Sequence, residues 1–282
     1  MSEKNRKRVF ITGGASGLGL ALAMRYSREG WRVAVADIND ERCKAACAEI
    51  DQAGGESLAV HCDIRVDAEV GDAADVVARE WGGLDVLVNN AGVAAAGTLL
   101  DTSMEDWRWM IDINLLGAIR VSKAFVPIMK GSSCGHVINV ASVAGIAQCP
   151  GMASYNVAKA GMIALSETLK NELKPLNIGV TVVCPSFFVT NLLESYKGDE
   201  SGARDVASRL MKRSKLTADD IAEAVWRGMQ RNDFFVFGHN EARFAYHFKR
   251  LFPGMFSVST HKVAERMFAG MITPASETAD GE

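Results

Sequence analysis

The sequence predicts an α/β fold: a doubly wound, seven-stranded parallel sheet (Rossmann) with helices on both faces and a C-terminal extension. Three observations point there. Short β-branched runs alternate with longer helical patterns, as successive βαβ units require. A glycine-rich turn, TGGASGLG, leads straight from the first such run into a helical pattern. The polar residues that look chemically useful fall just beyond the strands, where ligands of such sheets sit.

The strands are read as RVFIT (8–12), RVAVAD (32–37), SLAVHCD (57–63), LDVLVNN (84–90), GHVINVAS (135–142), IGVTVVC (178–184) and FFVFG (234–238). Helical periodicity is read over 17–29, 40–53, 67–80, 104–130, 154–174 and 217–231, with Asn114 and Gly117 interrupting the long one. Residues 1–238 are expected to form one nucleotide-binding catalytic domain, with a substrate cover at about 186–216. Residues 239–282 form an extension packed on that domain or on a partner subunit. Within it, Phe244, Tyr246, Phe248, Leu251 and Phe252 alternate with Arg243, Lys249 and Arg250. That pattern also fits a membrane-surface helix, but packing needs only apolar area and is preferred.

In the phosphate turn, Gly13, Gly17 and Gly19, with Ser16 and Leu18 between them, let the backbone bend and approach a pyrophosphate at the helix amino end. Surface turns are glycine-rich too, so position after a strand and before a helix is what gives the turn weight. Asp37 ends the second strand eighteen residues beyond Gly19. A carboxylate there accepts hydrogen bonds from the ribose hydroxyls and repels a 2′-phosphate, although an aspartate opening a helix also serves as a cap. With no lysine or arginine in the glycine turn, NAD is expected in preference to NADP. Asp63 and Ile64 would flank the adenine, and Asn90, Ala91 and Gly92 bring small residues close to the cofactor.

In SYNVAK, Tyr155 and Lys159 stand one helical turn apart and project from one face. Bringing a phenol from its ordinary pKa of ~10 to near 7 requires about 4 kcal/mol. An ammonium at about 4 Å in a partly screened site contributes an attraction on the order of 4 kcal/mol before desolvation. Tyr155 therefore reads as an acid/base for an alcohol or carbonyl, and Ser142 as the hydroxyl that holds the substrate oxygen. Taken singly, a YxxxK spacing is common on helices and a serine after a strand is usually a turn former. Their joint occurrence with the glycine turn decides.

Over residues 8 to roughly 238 the chain resembles the short-chain dehydrogenase/reductase family, in its compact, oxidoreductase branch, through TGGASGLG, NNAG, Asn114 in DINLLG, Ser142, Tyr155 with Lys159, and PSFFVT. The resemblance implies that Asn114 holds a water linking Lys159 to solvent, that Lys159 also binds the nicotinamide ribose, and that Pro185, Val189 and Thr190 contact the carboxamide. It further implies a homodimer or homotetramer paired through the helices near 104–130 and 154–174. There are two departures: Ser186 stands where the family has glycine, and the chain continues well past the last strand instead of finishing on a short glycine-rich segment.

The remaining composition narrows the partners. A formal charge of -3 argues against nucleic acid, and no apolar run approaches the ~18 residues of a spanning helix. The six cysteines, at 43, 47, 62, 134, 149 and 184, lack metal-ligand spacing and read as reduced thiols of a cytoplasmic protein, with no metal expected. The expected substrate is a small alcohol or carbonyl, lipophilic because the cover begins with aromatic and aliphatic residues. The alternative function is a sensor or scaffold that binds the dinucleotide without catalysis; it has no need of a proton donor.

Overall fold

The structure is a computed structural model and describes residues 6–148, 150–186 and 216–267, together with 188, 194, 211 and 214. Seven strands form one parallel sheet: β1 (Arg8–Thr12), β2 (Arg32–Asp37), β3 (Glu56–His61), β4 (Val86–Asn89), β5 (His136–Val140), β6 (Gly179–Val183) and β7 (Phe235–Val236). Their order across the sheet is β3-β2-β1-β4-β5-β6-β7. The chain therefore reverses its direction of winding between β1 and β4, and sheets of this kind form their crevice beyond the carboxyl ends of the strands at such a point.

Successive side chains of a strand point to opposite faces, and both faces here are covered. Val9, Ile11, Val33, Val35, Val86 and Val88 enter one layer with Leu22 and Tyr26 of α1 (Gly17–Arg28) and Ile50 of α2 (Asp40–Gln52). Phe10, Ala34, Leu87 and Val137 enter the other with Val77 of α3 (Asp67–Trp81). The long helical pattern of 104–130 is resolved into α4 (Met104–Ile111), a π-turn (Asp112–Gly117), α5 (Ala118–Phe125) and a 3-10 turn (Val126–Met129). Asn114 and Gly117, the residues that interrupt the pattern in sequence, lie in the π-turn. Gly117 is needed there because a Cβ would stand 2.5 Å from Ile64 Cδ1.

Two helices were not anticipated. The four-residue α6 (Ala144–Ala147) contains a glycine and is too short to be read from periodicity. It precedes α7 (Ala153–Glu172). After α8 (Ala218–Gln230) and α9 (Asn240–Leu251), Pro253 opens α10 (Pro253–Met267). Proline suits a first helical position, where its missing N–H has no partner to lose. Among the described residues no helix is long and apolar enough to cross a membrane.

The amino edge of the sheet is fastened by charge and by a buried histidine. Arg8 grips Asp85 through Nε at 2.8 Å and Nη2 at 3.0 Å, and Ser132 donates to the same carboxylate at 2.7 Å. Burial alone would raise the Asp85 pKa, but these donors outweigh it and hold it below the usual range. His136, which opens β5, lies 2.8 Å from Thr181 Oγ1, whose own hydroxyl donates to Asp233 O. The histidine is thus the donor through Nε2–H.

Burial pushes His136 down to about 4. Its folded-state pKa lies below the ordinary ~6.5, so the unfolded chain binds the extra proton first. Stability from this group is complete above pH ~6.5 and is lost as pH falls toward 4, by up to about 3 kcal/mol. Urea denaturation at pH 7 and pH 4.5 should show that loss, and His136→Gln should flatten the difference. An equally steep loss in the variant would show that other groups cause it.

Candidate active site

The turn after β1 is shaped by its glycines. Gly13 and Gly17 take left-handed φ values of 59° and 52°, a conformation costly for other residues. Gly19 is tight for a different reason: a Cβ would lie 2.0 Å from Gly13 O. Ser16 precedes α1 without a side-chain cap, and no acid occupies the helix's first turn. The free N–H groups and the positive end of the helix dipole are thus left for an anion. Leu18 is buried in the core below and anchors the helix start.

Across the crevice, Thr12 ties β1 to the segment after β4. Its hydroxyl oxygen accepts from Asn90 N and Ala91 N, both at 3.0 Å. Asn90 Nδ2 returns hydrogen bonds to Thr12 O at 3.0 Å and Gly13 O at 3.1 Å. A Cβ on Gly13 would stand 2.9 Å from Ala91 Cα, so the two walls approach to backbone distance. Thr12 is a residue that sequence reasoning passed over, although it stands at the head of the glycine motif.

Asp37 closes β2 and its Oδ1 accepts from Asn39 N at 3.1 Å, with Asp40 following. Asp63 and Ile64 lie beyond the end of β3 but face different surroundings. The Asp63 carboxylate is clasped by Arg65 at 2.9 Å and 2.5 Å, whose hydrogen bonds hold its pKa below the usual range. Ile64 is turned into the core over Gly117. It supports the π-turn.

Ser142, Tyr155 and Lys159 come together at the carboxyl end of β5. Ser142 lies two residues past the strand, and Tyr155 and Lys159 are both buried in the first turns of α7. Lys159 Nζ donates to Val140 O at 3.0 Å and lies 5.7 Å from the centre of the Tyr155 ring. Asn114 reaches the same place from the π-turn, with Nδ2 on Val93 O at 3.0 Å and Oδ1 accepting from Val93 N at 3.2 Å. Gly92 separates them: a Cβ there would lie 2.7 Å from Asn114 Oδ1 and 3.4 Å from Lys159 Nζ. Pro185 borders the group, its carbonyl accepting from Val143 N at 2.9 Å.

The electrostatics differ from the sequence expectation. Lys159 is expected to acidify the phenol, but burial dominates both groups: Tyr155 is pushed up to about 12, opposed by the Ser142 hydroxyl, and Lys159 is pushed down to about 8. The desolvation left out of the Coulomb figure is the larger effect when no further charge enters the site. Val189 and Thr190, and nearly all of the 186–216 cover, lie outside the described residues.

Gly145 in α6 is a second position that sequence reasoning missed. Its Cβ would come within 2.6 Å of the Lys159 carbonyl carbon, so α6 rests backbone to backbone on α7. Only the folded arrangement reveals that need, since the nearby sequence VAGIA looks like any small-residue turn.

A family model described as short chain dehydrogenase matches residues 7–201. Cyclopentanol dehydrogenase of Comamonas testosteroni is 30% identical over 238 residues, covering 84% of this chain and 95% of that protein. A short chain dehydrogenase/reductase from Burkholderia phymatum, solved in complex with NAD, has a TM-score of 0.82 at 27% identity and covers 98% of this chain and 100% of that one. The alcohol dehydrogenase of the archaeon Thermococcus sibiricus, solved with 5-hydroxy-NADP, has a TM-score of 0.72 at 27% identity, covering 83% of this chain and 96% of that one.

Gly145→Ala should lower stability by about 1–3 kcal/mol through overpacking against α7. Chemical denaturation checks it; an unchanged midpoint would mean that α6 lifts away freely.

Proposed function

The chain belongs to the short-chain dehydrogenase family, and we propose that within it the protein is an NAD-dependent oxidoreductase interconverting a lipophilic secondary alcohol and its ketone, with Tyr155 as the acid/base. Family membership carries the oxidoreductase class, the nicotinamide dinucleotide and the small alcohol or carbonyl substrate. The finer reading rests on one observation: a buried phenol and ammonium and the half-buried Ser142 hydroxyl converge in a fold whose glycine turn leads into a helix with an uncapped amino end.

The residues fit the dinucleotide. Gly13, Ser16, Gly17, Leu18 and Gly19 would hold the pyrophosphate, Asp37 the adenosine ribose, Asp63 and Ile64 the adenine, and Asn90, Ala91 and Gly92 the middle of the molecule. Lys159 would bind the nicotinamide ribose, with Pro185, Val189 and Thr190 at the carboxamide. When bound, the oxidised nicotinamide accepts hydride and brings positive charge beside Tyr155. NAD is favoured over NADP because Asp37 would face a 2′-phosphate, while the nearby Arg42 is engaged with Glu194 at 2.8 Å. The NAD bound to the Burkholderia protein supports this choice, and the cofactor of the Thermococcus protein is of the other kind.

In the reducing direction Ser142 would hold the carbonyl oxygen and Tyr155 would donate its proton to that oxygen as hydride arrives. The phenol, at about 12, is protonated at neutral pH and ready to donate. The Lys159 ammonium would then stabilise the phenolate, and Asn114 would hold the water through which the proton is replaced. In the oxidising direction the same phenol must first lose its proton, which the added positive charge favours. Pairing of two copies through α4, α5 and α7 is supported by the exposure of Met104 on α4, Leu116 in the π-turn and Val157 on α7. Among the described residues, the buried free thiols of Cys43, Cys47, Cys62 and Cys184 support a cytoplasmic setting.

Tyr155→Phe should reduce turnover of secondary alcohols by about 10²–10⁴-fold while leaving NAD affinity nearly unchanged. NADH formation and NAD titration check this; retained turnover would exclude the phenol as the acid/base. A substrate screen run with both dinucleotides should favour NAD, and Asp37→Ala should narrow the gap. A preference for NADP in the unaltered protein would overturn the cofactor reading.

A further inference from the structure

The extension beyond β7 reaches the active-site segment. On α9, Tyr246 packs on the rings of Phe235 and Phe237 with centroids 4.6 and 5.6 Å away. It joins the cluster that contains Ile146, Met162 and Cys184. Three residues on, the partly buried Lys249 donates from Nζ to Ile146 O at 2.7 Å and to Gln148 Oε1 at 2.9 Å. Both acceptors belong to the carboxyl end of α6.

That end needs a partner. A helix of four residues leaves its last carbonyls without intrahelical donors and is not stable alone. Gln148, which follows it, is in the left-handed region with φ 55°, a conformation usually given to glycine. At the opposite end the Ser142 Oγ accepts from Ala144 N at 3.1 Å. The short helix is therefore tied to Ser142 at its amino end and to a cation from the extension at its carboxyl end, where positive charge also suits the dipole. Burial holds the Lys249 pKa below its ordinary value, as for an ammonium drawn out of water to serve as donor.

We infer that Lys249 is a positioning residue: by capping the carboxyl end of α6 it keeps Ser142, at the other end, in register with Tyr155. The catalytic part of this inference rests on the reading of Ser142 as the substrate-holding hydroxyl; the capping part does not. The extension thus acts on the reaction through α6, with no contact of its own to the reacting atoms.

Lys249→Met retains most of the aliphatic stem and removes the donor. In the full chain, amide hydrogen exchange at residues 144–148 should accelerate about tenfold, as expected when a local opening is eased. With cofactor and alcohol, kcat should fall about five- to tenfold, the NAD dissociation constant should stay within about twofold, and Lys249→Arg should recover most of the loss because it keeps a charged donor. Unchanged exchange at 144–148 in Lys249→Met would overturn the inference. So would a loss of turnover in which exchange accelerates equally across the whole sheet, since that reports general destabilisation. If Lys249→Met does not fold, Lys249→Gln, which keeps an uncharged donor, is read by the same two criteria. Accelerated exchange confined to 144–148, with no NADH formed by the unaltered protein on any alcohol, would establish the cap while rejecting the proposed function.

Discussion

The buried ammonium of Lys159 is the constraint around which the site is arranged. Taking a cation out of water is costly, and its pKa near 8 records that cost. The fold accepts it because Val140 O, at the end of β5, takes a hydrogen bond at 3.0 Å. That bond ties α7 to the sheet and sets the height at which Tyr155 stands. Asn114 and Gly92 then fit around the ammonium, and each has reasons particular to it: an amide fastened to the Val93 backbone, and a position where a side chain would collide with both neighbours.

The two halves of the crevice solve different problems. On the β1 side the chain must expose N–H groups, and it does so with left-handed glycines and an uncapped helix. On the β5 side it must bury polar groups: Lys159 and Asn114 are given backbone partners, and the Tyr155 hydroxyl is met by Ser142. Thr12 and Asn90 join the halves, so that the glycine turn and the segment after β4 form one wall. Backbone contact between Gly13 and Ala91 leaves little room for either to shift alone.

The electrostatic balance has a consequence for chemistry. Burial pushes the Tyr155 phenol up to about 12 and the Lys159 ammonium down to about 8, so at neutral pH both are mainly protonated. Among the described residues the Ser142 hydroxyl is the group that favours the phenolate, and under the proposed function further acidity would come from the charge of the bound dinucleotide. The C-terminal helices bear on the same site from outside. Tyr246 docks on Phe235 and Phe237 at the end of the sheet, and Lys249 reaches the short segment between Ser142 and Tyr155 through Ile146 O and Gln148 Oε1.

Much of this was legible in the sequence for a simple reason: strands and long helices have periods that side chains must obey, and a turn that meets a phosphate must be built of glycine. The parallel sheet, the positions of Asp37, Ser142, Tyr155 and Lys159, and the interruption at Asn114 and Gly117 all follow from local pattern. Other features depend on what lies across space. Gly145 is required by the backbone of α7, Thr12 ties to the segment after β4 because β4 ends beside it, and α6 is flanked by α7 and by the Lys249 ammonium. The pKa of Tyr155 belongs to this second group, because spacing along a helix sets how near a cation can come but burial by the rest of the chain sets what its approach is worth.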